Sequence, residues 1–119
     1  MKKVLKKVLV VEDEEYLHYK WRRELGNKVM LISARSIKEA EEQFAANPDI
    51  TAIFMDACVP DNDPTTPPLV RKFRETFTGP IIAISSSPEY RAELISAGCD
   101  CEWEDKNTLP KKILEVLGL

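Results

Sequence analysis

The stretch "VLVVEDEEY", residues 8–16, decides how the chain is interpreted, because four aliphatic residues run directly into four acidic ones. The aliphatic part has the length and composition of a buried β-strand. The acids Glu12–Glu15 fit the first turn of a helix, since carboxylates suit the positive end of a helix. They also fit a metal site at the carboxyl end of a parallel strand. The residues that follow the other strands decide between the two.

The composition is that of one folded domain. The chain has 119 residues, of which 44% are hydrophobic and 31% charged, as in ordinary globular proteins. The net charge of -3 gives no general attraction to nucleic acids or anionic membranes. No apolar run approaches the ~20 residues of a membrane span, and the start lacks the apolar core of a signal peptide. We therefore expect a cytoplasmic protein that binds neither nucleic acid nor membrane.

Two kinds of apolar pattern alternate along the chain. Short, nearly continuous runs rich in Val and Ile are typical of strands buried on both faces. They occur at Val8–Val11, Val29–Ile32, Ile50–Met55 and Ile81–Ile84, with a weaker fifth at Cys99–Trp103. Helical stripes follow the strands, so we predict an α/β fold: a doubly wound, five-stranded parallel sheet flanked by five helices. Such sheets bind ligands at the carboxyl ends of their strands.

Capping residues mark the ends of the predicted helices. Ser36 and Ser87 are predicted N-caps, and Gly98 is expected just past the end of the fourth helix. The stretch "ACVPDNDPTTPPL", residues 57–69, is predicted to be a long, stiff loop, because its four prolines oppose regular structure. His18 lies in the first helical pattern and is interpreted as a surface or boundary residue.

A set of polar residues follows the strands at their carboxyl ends. Glu12 and Asp13 follow the first strand, Asp56 the third, Ser85 the fourth and Lys106 the fifth. Carboxylates brought together repel unless a cation pairs with them, and Mg²⁺ prefers such oxygen ligands. A carboxylate can also act as a nucleophile and form an aspartyl-phosphate, with a lysine and a hydroxyl holding the phosphoryl oxygens.

On these residues the sequence resembles the response-regulator receiver domains of two-component signalling, from about Lys6 to the end. The motifs that carry the resemblance are "VLVVEDE", "IFMDACVP", "PIIAISS" and, less closely, "GCDCEWEDK". The resemblance implies a flavodoxin-like receiver fold with Asp56 as phosphoacceptor. It also implies that Glu12 and Asp13 bind Mg²⁺ together with Asp56 and the backbone carbonyl of Cys58. The phosphoryl donor would be a sensor histidine kinase or a histidine phosphotransfer protein.

The resemblance further implies a switch. Ser85 would hydrogen-bond to the phosphoryl group, Lys106 would pair with one of its oxygens, and Trp103 would follow into the vacated space. A downstream protein target would then read the surface formed by the fourth helix, fifth strand and fifth helix. The sequence ends soon after the fifth helical pattern, so a stand-alone receiver and a domain of a longer protein both stay open.

Three departures from the receiver pattern concern the same site. Pro64 stands where a glycine is usual, and "TTPP", residues 65–68, lengthens the loop beside Asp56. Asn107 replaces the usual proline after the lysine. Counted from Gly98, Asp105 occupies the usual lysine place, and Lys106 comes one residue late. We favour a one-residue bulge that restores Lys106 to the site, because without it the edge would lack its fixed cation.

Two alternative functions follow from these departures. A pseudo-receiver would keep the fold as a phosphorylation-independent protein-interaction module, and failure to bind Mg²⁺ would be its signature. A small phosphohydrolase would use similar aspartyl-phosphate chemistry, but usually has a second aspartate where Cys58 stands. A flavin site is disfavoured, because acids follow the first strand where a phosphate-binding loop would be needed.

Overall fold

The computed structural model describes residues 5–59 and 64–119. In these ranges the strands are β1 (Lys6–Val11), β2 (Val29–Ala34), β3 (Ile50–Met55), β4 (Ile81–Ala83) and β5 (Cys101–Glu102). The helices are α1 (Glu15–Leu25), α2 (Ile37–Ala46), α3 (Pro67–Arg74), α4 (Pro88–Ala97) and α5 (Leu109–Val116), and a 3₁₀ turn, Lys106–Thr108, precedes α5. The predicted alternation of strands and helices is confirmed.

The strands form one parallel sheet in the order β2-β1-β3-β4-β5. The chain runs outward from β1 to β2 and then crosses back over β1 to reach β3, so the direction of winding reverses between β1 and β3. In doubly wound sheets, the crevice at the carboxyl side of this reversal is the usual ligand site. The predicted fold class is therefore confirmed, and the topology singles out one edge of the sheet.

Two hydrophobic cores cover the two faces of the sheet. One contains Leu9 and Val11 and is closed by α2, α3 and α4. The other contains Val8 and Val10 and is closed by α1 and α5. All four residues are fully buried, because helices cover both faces of the central strand. This explains the continuous apolar run that opens the sequence.

The predicted caps are present. The Ser36 hydroxyl accepts a hydrogen bond from the Glu39 N–H at 3.1 Å, and the Ser87 hydroxyl accepts one from the Tyr90 N–H at 3.3 Å. Gly98 follows α4 with φ of 134°, a conformation that residues with a side chain rarely adopt. The cap at Ser87 also leaves Ser85 without a capping role.

The prediction for residues 57–69 is partly wrong. Helix α3 already begins at Pro67, because proline fits the first turn of a helix, where the N–H groups lack partners inside the helix. The loop residues 60–63 and the N-terminal residues 1–4 lie outside the described residues. Among the residues that the structure describes, no helix combines the length and the apolar character needed to cross a membrane.

Candidate functional site

Main-chain hydrogen bonds bring the carboxyl ends of β1 and β3 together. In the β1–β3 register Val11 lies beside Met55, and the Asp56 N–H donates to the Val11 carbonyl at 2.9 Å. The Glu12 N–H donates to the Ala34 carbonyl of β2, also at 2.9 Å. The two acids therefore leave their strands side by side, where the winding reverses.

Three carboxylates meet at this edge. Ligand oxygens of Glu12, Asp13 and Asp56 lie within 4.8 Å of one another. Glu12 is fully buried and Asp56 is 6% exposed. Burial and the charge of Asp56 raise the pKa of Glu12 to about 7. Burial also raises the pKa of Asp56, and the charge of Asp13 adds to the effect.

Lys106 is the cation of this cluster. Its Nζ lies 2.5 Å from Glu12 Oε1 and 3.2 Å from Asp56 Oδ1. Burial alone would lower the pKa of Lys106, but the charges of Asp56 and Glu12 outweigh it and raise that pKa. The main chain here is fixed by Trp21, whose indole N–H donates to the Lys106 carbonyl at 2.7 Å. The Asp105 carboxylate instead caps the 3₁₀ turn, so Lys106 and not Asp105 faces Asp56.

Ser85 and Cys58 line the same cleft as the three acids and Lys106. The cleft has a volume of about 350 Å³. Ser85 is 4% exposed, and its hydroxyl accepts a hydrogen bond from the Ser87 N–H at 3.2 Å. Cys58 is half-buried. The structure thus brings together every sequence-predicted site residue except Trp103.

Trp103 lies beside this cleft. Its main-chain N–H donates to the Ala83 carbonyl at 2.8 Å and so continues the pairing of β5 with β4. Its indole N–H donates to the Asp105 carbonyl at 2.8 Å, and Lys112 Nζ lies 5.4 Å from the ring centre. The half-buried ring lines a neighbouring cleft of about 550 Å³ that also contains Arg91. Trp103 is therefore placed at the edge of β5 and not over Asp56.

Arg91 connects the two clefts, and sequence reasoning missed it. It is 5% exposed, and its Nη1 donates to the Ser85 carbonyl at 2.8 Å. Its Nε donates to Glu102 at 2.9 Å, and Nη2 lies 3.6 Å from Glu104. A signal was available, because Arg91 lies three residues before the buried Leu94 on one helical face. Its acidic partners on and after β5 could not be inferred from that spacing.

His18 is buried, so its interpretation as a surface or boundary residue is wrong. It is 2% exposed, because it shares a face of α1 with Trp21. Its Nε2 donates to the Glu12 carbonyl at 2.6 Å, and its Nδ1 has no partner among the described residues. Burial lowers the pKa of His18 and so favours the neutral imidazole. It fixes the main chain at the first acid of the cluster.

The cluster of acids fits a hard divalent cation. All the side-chain ligands that it offers are carboxylate oxygens, which Mg²⁺ prefers. Burial is the main reason that the pKa values of Glu12 and Asp56 are raised, and repulsion from a neighbouring acid, Asp56 for Glu12 and Asp13 for Asp56, adds to the effect. A bound cation would relieve this repulsion.

Structural comparison relates the whole chain to one class of proteins. A two-component response regulator from Clostridium difficile is 20% identical, with a TM-score of 0.79 over 95% of this chain and 96% of that one. A response regulator receiver protein from Pseudoalteromonas atlantica is 14% identical, with a TM-score of 0.77 over 94% and 97%.

A signal receiver domain from Pseudomonas fluorescens is 19% identical, with a TM-score of 0.76 over 97% and 96%. No family model and no curated protein matches the sequence. At these identities the likeness is one of fold: the chain has the fold of the response-regulator receiver domains.

Proposed function

We propose that the chain is a phosphoacceptor receiver domain of two-component signal transduction. A sensor histidine kinase or a histidine phosphotransfer protein phosphorylates it on Asp56. The observation that carries the proposal is the contact of Lys106 Nζ with both Glu12 and Asp56. One fixed cation thus lies beside a buried carboxylate, at the winding reversal of a receiver fold.

The transfer is a displacement at phosphorus. An oxygen of the Asp56 carboxylate attacks the phosphorus of a phosphohistidine, and the O–P bond forms as the P–N bond breaks. The electron pair of the P–N bond stays on the imidazole nitrogen, which takes a proton. Lys106 already contacts Asp56 and stabilises the charge on the phosphoryl oxygens.

Four groups would hold the metal: the carboxylates of Glu12, Asp13 and Asp56, and the backbone carbonyl of Cys58. When bound, Mg²⁺ supplies positive charge that lets the carboxylate and the phosphoryl oxygens approach each other. The His18 hydrogen bond to the Glu12 carbonyl holds the first of these groups in place. Burial favours the neutral form of His18 by lowering its pKa, and the neutral form adds no charge that would oppose the cation.

The signal would leave the site through Ser85. Phosphorylation adds about -1.5 to -2 charge, and the Ser85 hydroxyl proton is available to a phosphoryl oxygen while its oxygen accepts from Ser87. A shift of Ser85 would displace Arg91, which donates to the Ser85 carbonyl. Arg91 would in turn displace Glu102, its partner next to Trp103. A protein target would read the resulting change at α4, β5 and α5, as a shift between two populations.

The proposal is tested by measuring the mass of the intact protein after incubation with Mg²⁺ and acetyl phosphate. We expect a phosphoryl adduct on the wild type that is absent from Asp56→Asn and from wild type treated with chelator. Asp49→Asn is the matched control. Asp49 lies at the opposite end of the sheet and pairs with Lys7 at 2.9 Å, so this variant should be phosphorylated normally.

The alternative gives a different result. A pseudo-receiver would be folded, would bind no Mg²⁺ and would gain no phosphoryl mass under any of these conditions. An adduct that persists in Asp56→Asn would contradict Asp56 as the acceptor.

A further inference from the structure

We propose that Thr66 is a positioning residue for the candidate site. Its buried hydroxyl fixes the main chain at Asp56 and so sets the place of the Asp56 carboxylate and of the Cys58 carbonyl. This inference rests on the proposed function, because it concerns the same site. It gives a role to the "TTPP" stretch by which the loop departs from the receiver pattern.

The contact between Thr66 and Asp56 joins the start of α3 to the end of β3. Thr66 is fully buried, and its Oγ1 donates to the Asp56 carbonyl at 2.7 Å. The same hydroxyl lies 3.1 Å from the Ala57 carbonyl. The hydroxyl has one proton, so the shorter contact to Asp56 is the principal bond.

The prolines explain why this hydroxyl points to the strand. Thr66 is the N-cap residue of α3 but makes no side-chain cap, unlike Ser36 and Ser87. A capping hydroxyl accepts from the N–H of the second or third helical residue, and the second here is Pro68, which has no N–H. One of the N–H groups that a capping hydroxyl usually accepts from is thus absent, and the Thr66 hydroxyl donates to the Asp56 carbonyl instead.

Thr65 makes a second contact with the main chain after β3, at Val59. Its hydroxyl donates to the Val59 carbonyl at 2.6 Å and accepts from the Val59 N–H at 3.2 Å. The N–H groups of Thr65 and Thr66 both donate to the Ala57 carbonyl, at 2.9 Å and 3.2 Å. The main chain is therefore tied at residues 56, 57 and 59, on both sides of Cys58.

These ties matter because metal and phosphoryl chemistry needs groups held to within a fraction of an ångström. The Asp56 carboxylate and the Cys58 carbonyl belong to residues whose neighbouring peptides are bonded to the two threonines. Loss of a hydrogen bond that orients a ligating group typically weakens metal binding by about 10- to 100-fold, and the Thr66 bond orients the main chain that carries the Asp56 carboxylate. Loss of a threonine hydroxyl far from the site should leave metal binding unchanged.

Thr51 provides a control at the opposite end of β3, where an exposed threonine hydroxyl also bonds to a main-chain carbonyl. Its hydroxyl donates to the Lys7 carbonyl at 2.8 Å. Thr66→Val and Thr51→Val both remove one hydroxyl and keep the branched shape. Thr66→Ser keeps the hydroxyl and removes a methyl group, so it separates the hydrogen bond from packing.

The experiment measures the Kd for Mg²⁺ by calorimetry and the rate of phosphoryl uptake from acetyl phosphate by intact mass. It is run at a temperature where melting curves in chelator show all four proteins folded. We expect Thr66→Val to weaken Mg²⁺ binding and slow uptake by about tenfold or more. Thr66→Ser and Thr51→Val should both stay within about twofold of wild type, since each keeps a hydroxyl at position 66 that can donate to the Asp56 carbonyl.

Three results would overturn the inference. Wild-type Mg²⁺ affinity and uptake in folded Thr66→Val would leave the residue with a purely structural role. Equal losses in Thr66→Val and Thr66→Ser would assign the effect to packing. Absence of Mg²⁺ binding and of uptake in the wild type itself would instead defeat the proposed function, and with it the role of Thr66 toward that site.

Discussion

The carboxyl edge of the sheet has two halves, which differ in the partners that surround their buried charged groups. The half at β4 and β5, which we call the paired half, contains Arg91 with the Ser85 carbonyl, Glu102 and Glu104 around it. The half at β1 and β3, the acidic half, contains Glu12, Asp13 and Asp56 with the ammonium of Lys106. In the first, one cation has several acceptors. In the second, three carboxylates lie close together, and the ammonium contacts two of them, Glu12 and Asp56.

The two halves differ in how well their buried charges are paired. A buried charge is tolerated when partners surround it, as they surround Arg91. In the acidic half Glu12 and Asp56 are removed from water, and this burial is the main reason that the pKa values of both carboxyls are raised. A cation bound beside Glu12 and Asp56 would offset the cost of burying their charge. The predictions below test whether the acidic half differs from the paired half in this respect.

The largest effect on folding is expected in the paired half. Arg91→Met removes the hydrogen bond to the buried Ser85 carbonyl and leaves that acceptor without its charged donor. We expect a loss of about 2–3 kcal/mol in the free energy of unfolding. Unfolding in urea measures it.

Lys72→Met is the control for Arg91→Met. Lys72 Nζ pairs with Glu41 at 3.1 Å, but both side chains are well exposed, so the expected loss is below about 0.5 kcal/mol. Equal losses in the two variants would remove the distinction between buried and exposed charge at this edge.

The sequence predicted the acidic half better than the paired half, for a physical reason. Glu12, Asp13 and Asp56 directly follow strands whose apolar runs are unmistakable, and parallel strands bring such residues to one edge. Arg91 pairs with Glu102 across two elements, and nothing in its helical spacing names that partner. The pairing of Arg91 with Glu102 could therefore be found only from the structure.

Contacts between residues far apart in the chain also limited what could be predicted from the sequence. The Trp21 indole holds the Lys106 carbonyl, 85 positions away in the chain, and this contact helps Lys106 rather than Asp105 to reach the site. The sequence marks Thr66 only as part of an unusual loop, because its bond to Asp56 depends on how α3 begins. The strand β5 is so short that its pattern was weak.

The second prediction concerns the one cation of the acidic half. Lys106→Met should lower the free energy of unfolding by about 1–2 kcal/mol at pH 8, less than for a fully buried ion pair because Lys106 keeps some exposure. The loss should shrink at pH 5, where Glu12, with a pKa of about 7, holds a proton and needs no partner. Urea unfolding at both pH values measures the difference.

The sign follows from proton binding. A carboxyl whose pKa is higher in the folded than in the unfolded protein stabilises the fold below its unfolded pKa, and this stability is lost as the pH rises through the folded pKa. Without Lys106 the pKa of Glu12 and of Asp56 should rise further, so the decline should be steeper than in wild type. A loss that is the same at pH 5 and pH 8 would show that Lys106 acts through packing alone.

The third prediction concerns the effect of Mg²⁺ itself on stability. At ten times its Kd and pH 8, Mg²⁺ should stabilise the fold by about 1.4 kcal/mol. Because the pKa of Glu12 is about 7, binding at pH 6 must displace a proton, and the affinity should be about tenfold lower there than at pH 8. Calorimetry in two buffers of different ionisation enthalpy counts the proton released. A flat affinity without proton release would mean that Lys106 already keeps Glu12 ionised, and the acidic half would then be as complete as the paired half.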